Sequence, residues 1–262
     1  MADYVIGVDA GTESFRAGVF DRSGKCLGFG VSANKTVYRH PGWAEQSPRD
    51  WDVALVESIR KALEVSHVAA GDIRGIGIDG TSCTVVFLDG RGEPLRDALM
   101  WMDIRAVKEA ADVAATGDAA LRYVGHGNVS PEWFPCKVAW VKRNEPQVYA
   151  EATTVFEQSD WLAYRLTGER TANIDTSTVR WFYNINEGGL PESLYQKVGL
   201  GDMFPKVPSR IVKIGEVVGG LTSEMAKRTG LPEGIPVAGG AADAFIGVIG
   251  INALKPLSLI HI

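Results

Sequence analysis

The sequence predicts an α/β fold in which helices flank a mixed sheet, and three observations support it. Three apolar stretches between residues 4 and 32 are joined by short polar links, which favour an antiparallel meander. Residues 48–68 then repeat apolar side chains at helical spacing. A stretch rich in β-branched residues at 73–79 predicts a strand parallel to the first. The helix between these two parallel strands should cross over in the right-handed sense.

Composition narrows the class of protein. The 262 residues suffice for one large domain or two small ones, and 45% hydrophobic with 23% charged residues is typical of a soluble globular protein. The net charge of -5 argues against nonspecific binding of nucleic acid. The three cysteines lie far apart, without a CxxC pair, which suggests a protein of a reducing compartment and argues against a structural zinc site. We find no signal peptide and no apolar run long enough to span a membrane, so we expect a cytoplasmic protein.

The first two strands enclose a polar turn that we interpret as a phosphate site. The carboxylate of Asp9, at a strand end, can hold a hydrated Mg²⁺. Gly11 lets backbone N–H groups approach a phosphate, and Thr12 and Ser14 add hydroxyl donors. Arg16 adds charge-assisted hydrogen bonds. The alternative interpretation is an ordinary hairpin with a polar turn.

The next elements follow from local signals. We expect the loop at 41–46 to fold back on the domain or to line a cleft, because Trp43 is costly to expose. Ser47 and Pro48 suit the N-cap and the first position of a helix. Within that helix, Trp51, Leu55 and Ile59 repeat on one face that should be buried.

This order of elements, with a phosphate turn after the first strand, resembles the superfamily of sugar kinases, actin and heat-shock chaperone ATPases. The resemblance implies a ribonuclease-H-like domain with a mixed five-stranded sheet flanked by helices. Neither a GxxxxGK[ST] loop nor a strand-to-helix GxGxxG is present. Residues 7–16 are similar to the opening signature of the FGGY carbohydrate kinases, and the resemblance extends over residues 4–250. It implies a kinase that uses ATP and Mg²⁺ on a small-molecule sugar, with Asp9 contacting the metal through water.

Small polar residues follow the strand at 73–79, where open α/β sheets often bind ligands. Thr81, Ser82 and Cys83 resemble the ribulokinase version of the family. The Arg-Glu pair of glycerol kinases and the Met-His pair of xylulokinases are absent here, which argues against glycerol and xylulose as substrates. The alternative is a strand end whose hydroxyls make only structural hydrogen bonds.

Two further segments resemble sugar-binding parts of the family. Trp101, Asp103 and Arg105 match a W-x-D-x-R segment that borders the sugar pocket, in which an aromatic ring packs on C–H groups while charged groups bind hydroxyls. The alternative is a core tryptophan before a helix capped by Asp103. Residues 130–137 resemble the S-x-E-W-x-x-P-K run of ribulokinases, which implies that Glu132 reaches the sugar. Alternatively, Glu132 is a first-turn acid favoured by the helix dipole.

The following elements are predicted to be scaffold. Residues 149–168 suggest helix, strand and helix, with Gly168 just past the helix end. We expect the aromatic triplet at 181–183 to pack in the core, although a partner surface or cleft wall is an alternative. Thr222 is predicted to cap a short helix that Gly230 ends.

The catalytic candidate is Asp243. Residues 235–247 predict a strand, a glycine-rich turn and a helix, and from the residues alone Asp243 would be an N-cap. The segment resembles the G-x-D-A segment of the kinase family, which implies that Asp243 is the catalytic base and contacts the substrate. Such a carboxylate aligns the attacking hydroxyl and accepts its proton. The two glycine turns are expected to converge on one cleft.

Family members are about twice as long as this chain. We therefore expect residues 1–250 to form the N-terminal, sugar-binding domain with the first phosphate turn, and 251–262 to be a truncated start of the C-terminal nucleotide-binding domain. The last residues are expected to depart from the native sequence. Alone, the chain should bind sugar weakly and transfer phosphate poorly or not at all. Its exposed apolar surface would favour association, and a homodimer is one expected assembly.

Three hypotheses for function remain open. The first is ATP-dependent phosphorylation of a pentulose, D- or L-ribulose. The second keeps the kinase class but changes the substrate to a pentitol or another polyol. The third is a noncatalytic sugar-binding module that works at half length.

Overall fold

The computed structural model describes residues 3–125 and 127–253. In chain order the strands are β1 (Tyr4–Ala10), β2 (Ser14–Phe20), β3 (Cys26–Ala33), β4 (Glu45–Gln46), β5 (Ile73–Gly80), β6 (Val85–Leu88), β7 (Ala98–Leu99), β8 (Thr154–Glu157), β9 (Thr171–Asn173), β10 (Arg210–Val212), β11 (Val217–Gly220), β12 (Pro236–Ala238) and β13 (Ala241–Ala242). The α-helices are α1 (Pro48–Ser66), α2 (Val107–Ala115), α3 (Phe134–Asn144), α4 (Pro146–Glu151), α5 (Gln158–Thr167), α6 (Ile174–Arg180), α7 (Glu192–Lys197), α8 (Ser223–Thr229) and α9 (Asp243–Gly250). The prediction about the chain's last residues falls on 254–262, which lie outside the described residues.

The main sheet confirms the predicted α/β class. Its strand order is β11-β12-β5-β1-β2-β3, and β13 also pairs with β5. As predicted, β1 runs antiparallel to β2 and parallel to β5. β12 and β13 occupy one position beside β5, because Gly240 interrupts the strand where a Cβ would lie 2.1 Å from the Ile78 oxygen. Five adjacent positions therefore match the predicted five-stranded sheet, and β11 is an additional edge strand.

Helix α1 covers one face of the main sheet. Trp51, Leu55 and Ile59 are fully buried, as their spacing predicts. The helix lies so close to β3 that a Cβ at Gly30 would be 2.2 Å from the Ser58 oxygen. Glycine in β3 thus permits a contact between backbones that any other residue would push apart.

A second sheet forms a separate layer with its own core. Its order is β4-β7-β6-β8, so the chain contributes β4 to this sheet before it forms β5 of the main sheet, and it returns to the second sheet at β6. The core beside it contains the buried side chains of Phe134, Trp181 and Tyr195. The rings of Phe134 and Trp181 stack with their centroids 4.0 Å apart. The burial of Trp181 confirms core packing for the first residue of the aromatic triplet.

The helix termini test the predicted caps. Thr222 caps α8 by accepting a hydrogen bond from the Met225 N–H, and Gly168 ends α5 in the left-handed conformation, both as predicted. Ser47 is the N-cap residue of α1, but its side chain makes no capping bond. The predicted capping of α2 by Asp103 is wrong, because that helix begins at Val107 and the Asp103 carboxylate is engaged elsewhere.

None of the helices within the described residues combines the length and the apolar character needed to cross a membrane.

Candidate active site

The turn between β1 and β2 opens onto a cavity of about 610 Å³. Asp9, Gly11, Thr12 and Arg16 line it, as the phosphate-site prediction requires. The Gly11 N–H donates a 3.1 Å hydrogen bond to the Ser14 carbonyl, which closes the turn. Ser14 is the one predicted member that does not line the cavity, since it begins β2 and contributes its backbone oxygen to the turn.

Four carboxyl groups line this cavity: Glu13 of the turn itself, and Asp9, Asp79 and Asp243 from three separate elements. Asp9 and Asp79 are paired neighbours at the ends of the parallel strands β1 and β5, and Asp243 follows β13 on the other side of β5. Burial above all, and then Asp9 and Asp243, raise the pKa of Asp79 to about 7. The Asp9 carboxylate accepts a 2.7 Å hydrogen bond from Arg16 Nη1. Asp79 was missed by the sequence analysis, although its place opposite Asp9 in a parallel strand was an available signal.

The donor atoms fit Mg²⁺ held partly by water and phosphate. Within residues 3–125 and 127–253, no group of three or more His, Cys, Asp or Glu side chains is arranged to hold a metal ion unaided. Mg²⁺ is commonly bound by one or two carboxylates, several waters and substrate phosphates. Asp9 offers such a carboxylate, and Asp79 Oδ1 is a buried oxygen without a hydrogen-bond partner among the described residues.

A second cavity, of about 420 Å³, adjoins the first. Its lining includes six of the eight residues predicted to bind sugar: Thr81, Ser82, Cys83, Trp101, Glu132 and Asp243. Thr12, Arg180 and Ala244 complete the lining. Thr12, Asp243 and Ala244 line both cavities. Thr12 and Asp243, which follow the two glycine turns, therefore face one cleft.

The walls of the second cavity are fixed by hydrogen bonds between segments. Thr81 donates from both its N–H and its Oγ1 to Gln158 Oε1, at 3.0 and 2.8 Å. The Trp101 N–H donates to Thr84 Oγ1 at 3.1 Å. The Trp101 indole N–H donates to Thr12 Oγ1 at 2.9 Å, so its ring is fixed to a residue that lines both cavities. The indole remains partly exposed and can pack against a bound ring or chain.

Asp103 and Arg105 do not line this cavity, although both were predicted to bind substrate. Their side chains are fully buried and paired, with Arg105 Nη2 2.7 Å from Asp103 Oδ2 and 2.9 Å from Glu45 Oε1. The Arg105 guanidinium lies 3.8 Å from the centre of the Trp43 ring. The geometry therefore favours a supporting role for the pair, beneath the segment that carries Trp101, over direct contact with a ligand.

Opposite charges line the second cavity on another side. Glu132 Oε2 accepts a 3.1 Å hydrogen bond from Ser130 Oγ, and Arg180 lies over the ring of Trp133, 5.3 Å from its centre. Arg180 was missed by the sequence analysis, because it is the last residue of a polar helix and nothing in its local pattern points to a ligand.

Asp243 is the first residue of α9, not its N-cap, which is Ala242. Its Oδ1 accepts a 2.6 Å hydrogen bond from the Ala244 N–H, and the Ala242 N–H donates to Asp175 Oδ2 at 2.9 Å. Asp243 is half-buried, and burial foremost raises its pKa above the ordinary value. The carboxyl group is thus oriented by the backbone at the point where the two cavities meet.

Comparison with known proteins gives a consistent result. Residues 4–250 match the model of the FGGY family of carbohydrate kinases, N-terminal domain. The chain is 31% identical to the FGGY carbohydrate kinase domain-containing protein of Xenopus laevis, covering 95% of this chain and 47% of that protein. It is 30% identical to the ribulokinase of Geobacillus thermodenitrificans, covering 98% of this chain and 50% of the relative. The chain thus spans about half the length of the curated relatives it matches. The solved xylulose kinase of Rhodospirillum rubrum superposes with a TM-score of 0.86 at 28% identity, covering 97% of this chain and 51% of that one.

Proposed function

The chain belongs to the FGGY family of carbohydrate kinases, and we propose that the protein it forms transfers the terminal phosphoryl group of ATP to a hydroxyl of a pentulose. One observation carries the proposal: Asp243 lines both the cavity beside the phosphate turn and the cavity with the predicted sugar-binding residues. A group placed at that junction can reach a sugar hydroxyl and the phosphorus that it attacks.

Asp243 acts as the general base in this proposal. It accepts the proton of the attacking hydroxyl as the new O–P bond forms and the bond to ADP breaks. Half burial raises its pKa, which makes it a stronger base than an exposed aspartate. Its position in the first turn of α9 favours the ionised form, and the Ala244 N–H fixes one oxygen.

The phosphate turn holds the other reactant. Gly11 and Thr12 offer close backbone and hydroxyl contacts to phosphate oxygens, and Arg16 offers a positive charge. Asp9 and Asp79 would hold Mg²⁺, which neutralises charge on the nucleotide phosphates when it is bound. We propose that residues 4–250 are the sugar-binding half of the enzyme and that the adenine pocket belongs to a second domain.

The proposed substrate is ribulose, as the D or the L enantiomer. Thr81, Ser82 and Cys83 line the second cavity and resemble the ribulokinase pattern, while Trp101 offers a ring for the C–H face of a sugar. Glu132 and Arg180 supply acceptors and donors for hydroxyl or carbonyl oxygens. A ribulokinase among the relatives at 30% identity supports this choice. We also propose a cytoplasmic location, because the three cysteines are free thiols.

The catalytic assignment is tested by Asp243→Asn in a protein that joins this chain to the proposed second domain. We expect turnover to fall by about 10²-fold or more, because general-base catalysis contributes that much, while sugar affinity stays within a few-fold. Asp50→Asn is the matched control, since Asp50 is exposed on α1 and should leave turnover unchanged. Turnover that survives in Asp243→Asn would remove Asp243 as the base.

The substrate assignment is tested by calorimetric titration of the chain with D-ribulose, L-ribulose, D-xylulose, ribitol and glycerol. Selective binding of one ribulose enantiomer supports the proposal and names the enantiomer. Preference for ribitol over both ketoses would favour the polyol kinase instead.

A further inference from the structure

Three chain segments that line the second cavity meet at one buried amine. Lys137 Nζ donates to the Cys83 carbonyl at 2.7 Å and to the Met100 carbonyl at 2.6 Å, and the Trp101 carbonyl is 3.4 Å away. Lys137 itself lies in the first turn of α3, five residues after Glu132. One ammonium group therefore connects the loop with Cys83, the segment with Trp101 and the segment with Glu132.

Cys83 is held in an unusual backbone conformation. Its φ of 63° is in the left-handed region, which residues with a Cβ seldom adopt. Its N–H donates to Glu157 Oε2 at 2.9 Å, while its carbonyl accepts from Lys137. The peptide groups on both sides of Cys83 are thus held by buried side chains, Glu157 and Lys137, from two other elements. Such local strain persists only where the surroundings impose it, and it is concentrated at functional sites.

Burying the ammonium group of Lys137 carries a desolvation cost, which its hydrogen bonds to backbone carbonyls offset. Its side chain is fully buried, and so is that of Glu157. Burial is the main cause that lowers the Lys137 pKa, to about 8, while Cys83, Asp103, Glu157 and Glu132 act in the opposite direction. A methionine would fill similar space without the desolvation penalty, but it could not donate to two carbonyls.

We propose that Lys137 is a positioning residue for the sugar cavity, which sets the backbone of Cys83 and Trp101 without contacting the ligand. The proposal rests on the proposed function only in taking the ligand to be a sugar. Lys137 is outside the cavity lining, so its effect on a ligand must pass through the three segments that it connects.

The first test is thiol reactivity, which needs no ligand. We compare wild type and Lys137→Met by the rate of iodoacetamide alkylation at Cys83 and Cys136 in the native chain. Cys83 should react at least about tenfold faster in the variant, because the loss of a charge-assisted hydrogen bond frees its loop. Cys136 precedes Lys137 on the same helix and is fully buried, so its unchanged rate shows that α3 remains folded. Lys142→Met is the matched control, since Lys142 lies on a more exposed part of α3 and donates a hydrogen bond to Asp202.

The second test measures ligand affinity. The pentulose that wild type binds should bind Lys137→Met at least about tenfold more weakly, with the thermal midpoint close to that of Lys142→Met. Lys137→Arg, which keeps the cation and its donors, should recover part of the affinity. If Lys137→Met does not fold, Lys137→Gln takes its place in both tests.

Two results would overturn the proposal. Parallel gains in reactivity at Cys83 and Cys136 would make Lys137 a general structural residue, and unchanged reactivity at Cys83 would show that it does not hold the loop. If wild type binds none of the sugars while Cys83, but not Cys136, is alkylated faster in Lys137→Met, the assignment of a pentulose substrate is wrong. The role of Lys137 in positioning the Cys83 loop is then still supported.

Discussion

Replacing Asp103 by asparagine separates a supporting role from a sugar contact. Asp103 Oδ2 accepts from the Ala44 N–H at 2.7 Å and from Arg105 Nη2 at 2.7 Å. Its Oδ1 accepts from the Arg105 N–H and Nε at 3.0 and 2.9 Å. Both carboxylate oxygens therefore face donors. The amide NH₂ of an asparagine has to point at one of these donor sets, whichever way the side chain is turned.

The magnitude follows from burial and from the remaining partners. Removing one member of a buried ion pair costs about 3–5 kcal/mol, because the other charge is left without compensation. Glu45 remains 2.9 Å from Arg105 and retains part of that compensation, so the lower end applies. We expect Asp103→Asn to lose about 3 kcal/mol of unfolding free energy. For a domain of this size the thermal midpoint should fall by about 6 to 12 °C.

The assay pairs thermal unfolding with sugar titration of the surviving native protein. Asp112→Asn is the control, because its 2.6 Å pair with Arg143 is 40% to 41% exposed and should contribute less than about 1 kcal/mol. A supporting role predicts a large loss of stability and a modest loss of affinity. An unchanged midpoint together with lost sugar binding would refute this reasoning and restore direct contact by Asp103.

Two further predictions concern the scaffold. Gly30→Ala should lower the free energy of unfolding by about 2 kcal/mol or more in urea titrations, because the new Cβ would lie 2.2 Å from the Ser58 oxygen of α1. Gly71→Ala, with no atom near its new Cβ, should stay within about 1 kcal/mol of wild type, and equal losses in the two variants would contradict the close helix contact. Burial raises the pKa of Glu157 to about 8, so from pH 5 to 7.5 the folded protein keeps a proton that the unfolded chain releases near pH 4.5. Stability should therefore fall as pH rises through that window, by at most about 1.4 kcal/mol per pH unit from this group. Glu157→Gln should flatten the pH dependence of the unfolding free energy, and an identical slope in the variant would exclude Glu157 as its source.

The elements that the sequence predicts best are those specified by neighbours along the chain. The strand–turn–strand around Gly11, the buried face of α1 and the parallel strand β5 follow from spacing and turn chemistry, and the structure confirms them. The second sheet was not predicted, because β4 and β7 have two residues each and exist only through their pairing with other segments. Strands that short carry no periodic signal of their own.

The same distinction explains the site. The local pattern around Asp9 already suggests a ligand, and the role expected of Asp243 came from the resemblance of its segment to the kinase family. Asp79, Lys137 and Arg180 instead acquire their surroundings from elements distant in the chain. Asp103 shows the converse error. It lies in a segment that resembles a sugar-binding segment and was therefore predicted to contact the ligand, but its partners are Ala44, 59 residues earlier, and Arg105, two residues later. A charged side chain in such a segment either faces the ligand or holds the neighbours that do. Only the packing decides which, because a fully buried charge needs protein partners and an exposed one remains available to substrate.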